Sequence, residues 1–177
     1  MSDIHEDFAP LPEEDDDDEV LPQAVNRRDA RMRVMQALYA VEIGDRAGGI
    51  DVEVLAANVI YPDLKNRQDL LDFARDLLRR AHNNREECDA LIQRLAENWD
   101  FNRIAPVDKA ILRMGITELL YFTDIPTRVT INEAIEIAKI FSTDKSGIFI
   151  NGMLDAAVAH LKEAGQMKKT GRGLVGD

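Results

Sequence analysis

The stretch NRRDARMRVMQALYAVEIG, residues 26–44, decides the fold class. Its apolar residues Ala30, Val34, Ala37, Leu38 and Val41 recur at three- and four-residue spacings, which places them on one stripe of a helix. Gly44 ends the stripe, as glycine commonly does just past a last helical turn. The same spacing returns along the rest of the chain. A short helix is expected over about 51–60, ending before Tyr61-Pro62. A long apolar pattern over about 67–97 runs through Leu70, Leu71, Ala74, Leu77, Leu78 and Ala81 to Leu91, Ile92 and Leu95, with a kink expected at Asn83-Asn84.

Pro106 reads as a first-turn proline opening a helix through Ile111, Leu112, Ile116, Leu119 and Leu120. After the break at Pro126, Thr130-Ile131-Asn132-Glu133 has the form of a capping box. Its hydroxyl and carboxylate would each satisfy a backbone amide and start a helix through Ala134, Ile135, Ala138 and Phe141. A last helix is expected over about 145–163. No stretch alternates as a strand does, and no internal repeat is visible. These residues predict an all-α fold, a compact bundle of about six or seven helices with short connections.

Residues 1–25 have a different composition. They carry ten acidic residues (Asp3, Glu6, Asp7, Glu13, Glu14, Asp15 to Asp18 and Glu19), three prolines and no Lys or Arg. They read as a disordered acidic tail. The plainer reading is a solubilising extension; a sharper one is a mobile anion competing for the basic patch that it abuts. Residues 26–163 form the helical domain, and 164–177, with their glycines and lysines, are expected as a flexible C-terminal tail. The formal charge of −11 is thus uneven. Without those ten acids, 23 acidic residues face 22 Lys and Arg, a net of −1 for residues 26–177. Cys88 is the only cysteine, so neither an intramolecular disulfide nor a thiolate metal cluster is available. No apolar run approaches the roughly 20 residues needed to cross a bilayer, and the acidic N-terminus has no signal-peptide pattern, which predicts a cytoplasmic protein.

Arg27, Arg28, Arg31 and Arg33 open the first helix. Arg27 and Arg31 project near the line of Val34 and Leu38, and an unpaired guanidinium cannot be buried. The first two turns are therefore expected to overhang the core with the arginines exposed. Positive charge at a helix N-terminus opposes the macrodipole, a cost that a phosphate backbone would offset through charge-assisted hydrogen bonds and counterion release. The cluster alone leaves two readings open: a solvated face partly neutralised by Asp29 or the tail, or an RNA contact.

No enzyme motif stands in the chain. His5, His82 and His160 are widely separated, and HExxH, GxSxG, the phosphate-binding GxxxxGK[ST] and GxGxxG are all absent, so no cofactor loop is present. Carboxylates cluster only in the tail, where they cannot be preorganised for acid–base work. The chain reads as non-catalytic.

Four blocks in order resemble the NusB transcription antitermination family. They are Arg27-Arg28-Asp29-Ala30-Arg31 with Gln36-Ala37-Leu38-Tyr39; the segment Pro106 to Leu120; Asp124-Ile125-Pro126 with Ile131 to Phe141; and Ser146 to Asp155. The resemblance covers about residues 26–160. It implies two packed helical sub-bundles, with the single tryptophan, Trp99, at their joint. It implies binding to the boxA element of nascent ribosomal RNA transcripts together with the small-subunit ribosomal protein NusE, within the elongating RNA polymerase complex and its other Nus factors. By position, Arg27, Arg28 and Arg31 would contact RNA phosphates, and Tyr39 and Phe149 would lie at the RNA surface, where aromatic faces stack on single-stranded bases. Asp108 and its helix would face the ribosomal-protein partner. Taken singly, Tyr39 and Phe149 are more often core aromatics, and Asp108 is a favourable first-turn acid. Asp29, Arg79-Arg80 and Lys145 depart from the family pattern.

Two other functions fit parts of the chain. NusB-like domains also resemble the RNA-binding region of certain ribosomal-RNA cytosine methyltransferases. Those enzymes need a further Rossmann-like domain, and no glycine-rich cofactor loop occurs in these 177 residues. The runner-up is a NusB-like protein-interaction bundle that has lost RNA binding, favoured by Asp29, the tail and the near-neutral body.

Overall fold

The computed structural model describes residues 26–44, 51–96 and 100–174. The acidic segment 1–25 and Trp99 lie outside them. Eight α-helical segments make seven rods among the described residues: α1 (Arg27–Gly44), α2 (Val52–Leu55) and α3 (Tyr61–Leu64) joined into one rod, α4 (Gln68–Asn83), α5 (Arg85–Leu95), α6 (Pro106–Tyr121), α7 (Thr127–Phe141) and α8 (Asp144–Glu163). The all-α expectation holds.

Helix α6 is the centre of the bundle. It touches α1, α4, α5, α7 and α8, and every residue from Asp108 to Leu119 is buried. A helix covered on all sides must satisfy each polar group it carries. Asp108 accepts hydrogen bonds from Ser142 Oγ and Ser146 Oγ at 2.8 and 3.0 Å. Arg113 donates to both oxygens of Asp89 on α5 (2.6 and 2.9 Å) and to Glu42 on α1 (2.7 Å). Glu118 accepts from Arg31 on α1 and from Thr130 on α7. Gly115 lets α8 approach: a Cβ there would stand 3.0 Å from Leu154 Cδ2, tighter than a relaxed contact.

Three elements differ from the sequence expectation. The helix expected to stop before Pro62 continues through it. Ala56–Ile60 form a π-turn in which the Tyr61 amide donates to the Ala56 carbonyl, and Pro62 falls in the first turn of α3. The wider turn makes room for a ring that an unbroken α-helix would not accept. The kink at 83–84 is a full break, with Asn84 non-helical between α4 and α5. The capping box at Thr130 does not form, because α7 begins at Thr127, directly after Pro126. Thr130 and Glu133 then face neighbouring helices, where longer-range partners take their side chains.

Candidate functional site

The first turn of α1 is held by a reciprocal cap that the sequence reading missed. Asn26 Oδ1 accepts from the amides of Arg28 (2.7 Å) and Asp29 (3.2 Å), while the Asp29 carboxylate accepts from the Asn26 amide (3.1 Å). This is capping-box logic written with Asn and Asp. Asp29 thereby sets the start of α1, where the Arg27 and Arg28 side chains are each about half exposed. Their N-x-x-D spacing was the available signal.

A groove of about 630 Å³ opens beside this turn. One wall carries Arg27, Arg28 and Arg31 of α1; the other is Ile125, Pro126 and Val129, from the α6–α7 turn and α7. Asp124, Glu133 and Arg172 complete it. Arg28 makes a two-point pair with Glu133, both bonds at 2.9 Å, and this hydrogen bond and charge raise the Arg28 pKa above its ordinary value. Arg27 lies 3.9 Å from Asp124 and stacks over the Phe73 ring, 4.8 Å from its centroid. Phe73 in turn meets Phe122 edge-on at 5.4 Å. Arg172 has no carboxylate partner among the described residues.

The expectation that Arg31 overhangs the core does not hold. Its side chain is 4% exposed and forms a two-point pair with the buried Glu118 at 2.7 and 2.9 Å, with the Phe73 ring 5.2 Å from its guanidinium carbon. Arg31 can be buried because Glu118, supplied 87 residues later, satisfies it. It shapes the groove wall rather than offering a free charge. Arg33, too, is committed, 2.6 Å from Asp63.

Asp108 is buried, its carboxylate turned toward the serines of the α7–α8 junction. It is not a side chain presented to a partner. Tyr39 is exposed on α1, twelve residues beyond Arg27 and hence about 18 Å along the axis. Phe149 on α8 is partly buried against the core. Neither lines the groove. The structure therefore brings Arg27, Arg28 and Arg31 together and leaves Tyr39, Phe149 and Asp108 elsewhere.

Arg172 was unforeseen because it lies in the segment expected to be a flexible tail. That segment returns to the α6–α7 turn: the Thr170 amide donates to the Thr123 carbonyl (2.9 Å) and Lys169 Nζ to the Phe122 carbonyl (3.1 Å). Gly171–Leu174 then form a 3-10 turn in which a Cβ on Gly173 would collide with the Thr123 carbonyl oxygen.

Among the described residues no helix is long and apolar enough to cross a membrane. The chain is 46% identical over 151 residues to the transcription antitermination protein NusB of Salinibacter ruber, an alignment covering 85% of this chain and 92% of the relative. Its fold matches T. maritima NusB at a TM-score of 0.69 and 36% identity, covering 77% of this chain and 93% of that one. It also matches a structure described as antitermination factors NusB and NusE in complex with double-stranded RNA. There the TM-score is 0.61 at 22% identity, with 76% of this chain and 96% of that one covered, a likeness of fold alone. The NusB family model matches residues 28–159, and the chain belongs to the NusB family.

Proposed function

We propose that this protein is a non-catalytic transcription antitermination factor that binds boxA-like single-stranded RNA in nascent ribosomal RNA transcripts. It does so in the cytoplasm, together with the ribosomal protein NusE and within the elongating RNA polymerase complex and its other Nus factors. The observation that carries this reading is the groove at the start of α1. Arg27, Arg28 and Arg172 stand around an open cleft whose other wall, formed by Ile125, Pro126 and Val129, is apolar. Guanidinium groups suit phosphates, and an apolar wall suits the faces of unstacked bases. The relative named as a transcription antitermination protein supports the antitermination reading, and the fold neighbour, solved with NusE and double-stranded RNA, shares the fold that would carry it.

Binding requires phosphates to exchange with carboxylates already in place. Arg27 and Asp124 are both about half exposed, and such pairs contribute only about 0–1 kcal/mol, so exchange is cheap. Tyr39 and Phe149 lie off the groove and would serve a longer RNA path or the NusE contact.

One observation favours the second reading, a bundle kept for protein contacts: Arg28, Arg31 and Arg33 already have carboxylate partners. The deciding experiment is the affinity for a short boxA-like RNA at two salt concentrations, with and without NusE. Salt-sensitive, NusE-enhanced binding that weakens in Arg27→Ala and Arg28→Ala supports the antitermination reading. No binding under any condition overturns it in favour of the protein-interaction bundle.

A further inference from the structure

We propose that the groove beside α1 also takes the chain's own acidic segment, Glu13 to Glu19, as an intramolecular ligand that competes with polyanions. The contact rests on charge and placement; its consequence for RNA rests on the function proposed above.

Three observations carry it. Asn26 lines the groove, so the N-terminal segment leaves the fold at the groove's own lip. Glu19 stands seven positions before Asn26, within about 24 Å of fully extended chain, so the whole cleft is in reach. The sequence Glu13-Glu14-Asp15-Asp16-Asp17-Asp18-Glu19 is an unbroken run of carboxylates in a stretch of 25 residues without Lys or Arg.

The groove complements that run. Arg31 is committed to Glu118, whereas Arg27 and Arg28 are each about half exposed and line the cleft together with Arg172. Arg172 is brought there by the 165–174 return and meets no carboxylate among the described residues. Val20 and Leu21, between the acidic run and α1, suit the apolar wall of Ile125 and Val129. A short tether gives such a segment an effective concentration in the millimolar range, so a contact too weak to form between molecules is populated within one.

The test uses the full chain with Pro12→Cys carrying a nitroxide, which leaves all seven carboxylates in place. Cys88 stays unlabelled because burial pushes its thiol up to about 11. The expected result is loss of amide NMR intensity at Arg28, Ile125 and Val129 at low salt. The signals return at high salt and in the D15N/D16N/D17N/D18N variant. No loss at the groove, or the same loss in the neutralised variant, overturns the contact. Loss seen on unlabelled chains mixed with labelled ones assigns the segment to a second copy and overturns the intramolecular form.

In the RNA arm, the neutralised variant is expected to bind boxA-like RNA about 3- to 10-fold more tightly, a difference that Arg172→Ala reduces. Equal RNA affinity without groove contact overturns this inference and leaves the antitermination reading intact. If no variant binds RNA, that reading falls, and the nitroxide result alone decides the contact.

Discussion

Arg31 Nε lies 2.7 Å from Glu118 Oε2 and Arg31 Nη2 lies 2.9 Å from Glu118 Oε1, in an interface where neither side chain is more than 4% exposed. The pair joins α1 to α6, and Thr130 Oγ1 adds a third hydrogen bond to Glu118 at 2.7 Å from α7. Three helices are thus held at one carboxylate. Removing one partner leaves a buried charge uncompensated, so Arg31→Ala is expected to destabilise the fold by about 3–5 kcal/mol. Urea unfolding checks this. A loss below about 1 kcal/mol would return Arg31 to the exposed surface that its sequence context suggests.

Arg28 should behave oppositely. It is 44% exposed, and Glu133 keeps Arg31 at 3.9 Å when Arg28 is removed. Arg28→Ala is expected to change stability by no more than about 1 kcal/mol. The same substitution should weaken RNA binding and reduce the slope of log affinity against log salt by about one. Titrations across a salt series measure both, and an unchanged slope would remove Arg28 from the phosphate contacts.

Glu42 sets an acid limit. Burial alone would raise its carboxyl; the hydrogen bond and charge of Arg113, helped by Lys109, outweigh this and hold it below the ordinary glutamate value of 4.5. A group depressed in the folded state contributes its full stability above the unfolded pKa and loses it as pH falls through the folded one. Thermal melts of the parent chain should therefore drop faster than those of Glu42→Gln below about pH 5, and run parallel above it. Parallel curves throughout would show that Glu42 titrates as it does unfolded.

Cys88 is expected to resist alkylation. It is buried, its sulfur lies 3.8 Å from Thr117 Oγ1, and burial pushes its pKa up to about 11, so almost no thiolate exists at neutral pH. Iodoacetamide should modify it only after denaturation, as mass spectrometry reads directly. Rapid modification of the folded chain would mean that α5 opens from α6.

Gly173→Ala should release the 165–174 return, because the new methyl would meet the Thr123 carbonyl oxygen. The expected outcome is faster hydrogen exchange at the Thr170 amide, with the bundle's melting temperature little changed. Protection equal to the parent would show that the segment shifts to accept the methyl.

Helix existence and order were legible because the apolar residues keep their three- and four-residue spacing through α1, α4 and α6. What escaped depended on partners distant in sequence. Arg31 looks like its neighbour Arg28 until Glu118 is placed against it. Asp108 reads as an exposed first-turn acid until Ser142 and Ser146 close over it. Thr130 and Glu133 fit a cap motif, yet Pro126 starts the helix earlier and both side chains are used across helices. Pro62 illustrates another limit, since the π-turn that admits it leaves no trace in apolar periodicity. The arginines at the start of α1 were visible in sequence, but Arg172 and the apolar wall reach the same cleft only through the path of the chain.

Because α6 is enclosed on every side, Arg113 and Glu118 face different neighbours, Arg113 toward α5 and the far end of α1, Glu118 toward the start of α1 and α7. Five positions separate them, and one inserted or deleted residue between them would rotate one relative to the other by about 100°. A purely hydrocarbon helix could slide or turn to absorb such an error, whereas here a charge would be driven against Leu or Ile. Evolution can therefore lengthen this molecule at its ends and loops, but the middle of α6 has a reading frame of its own.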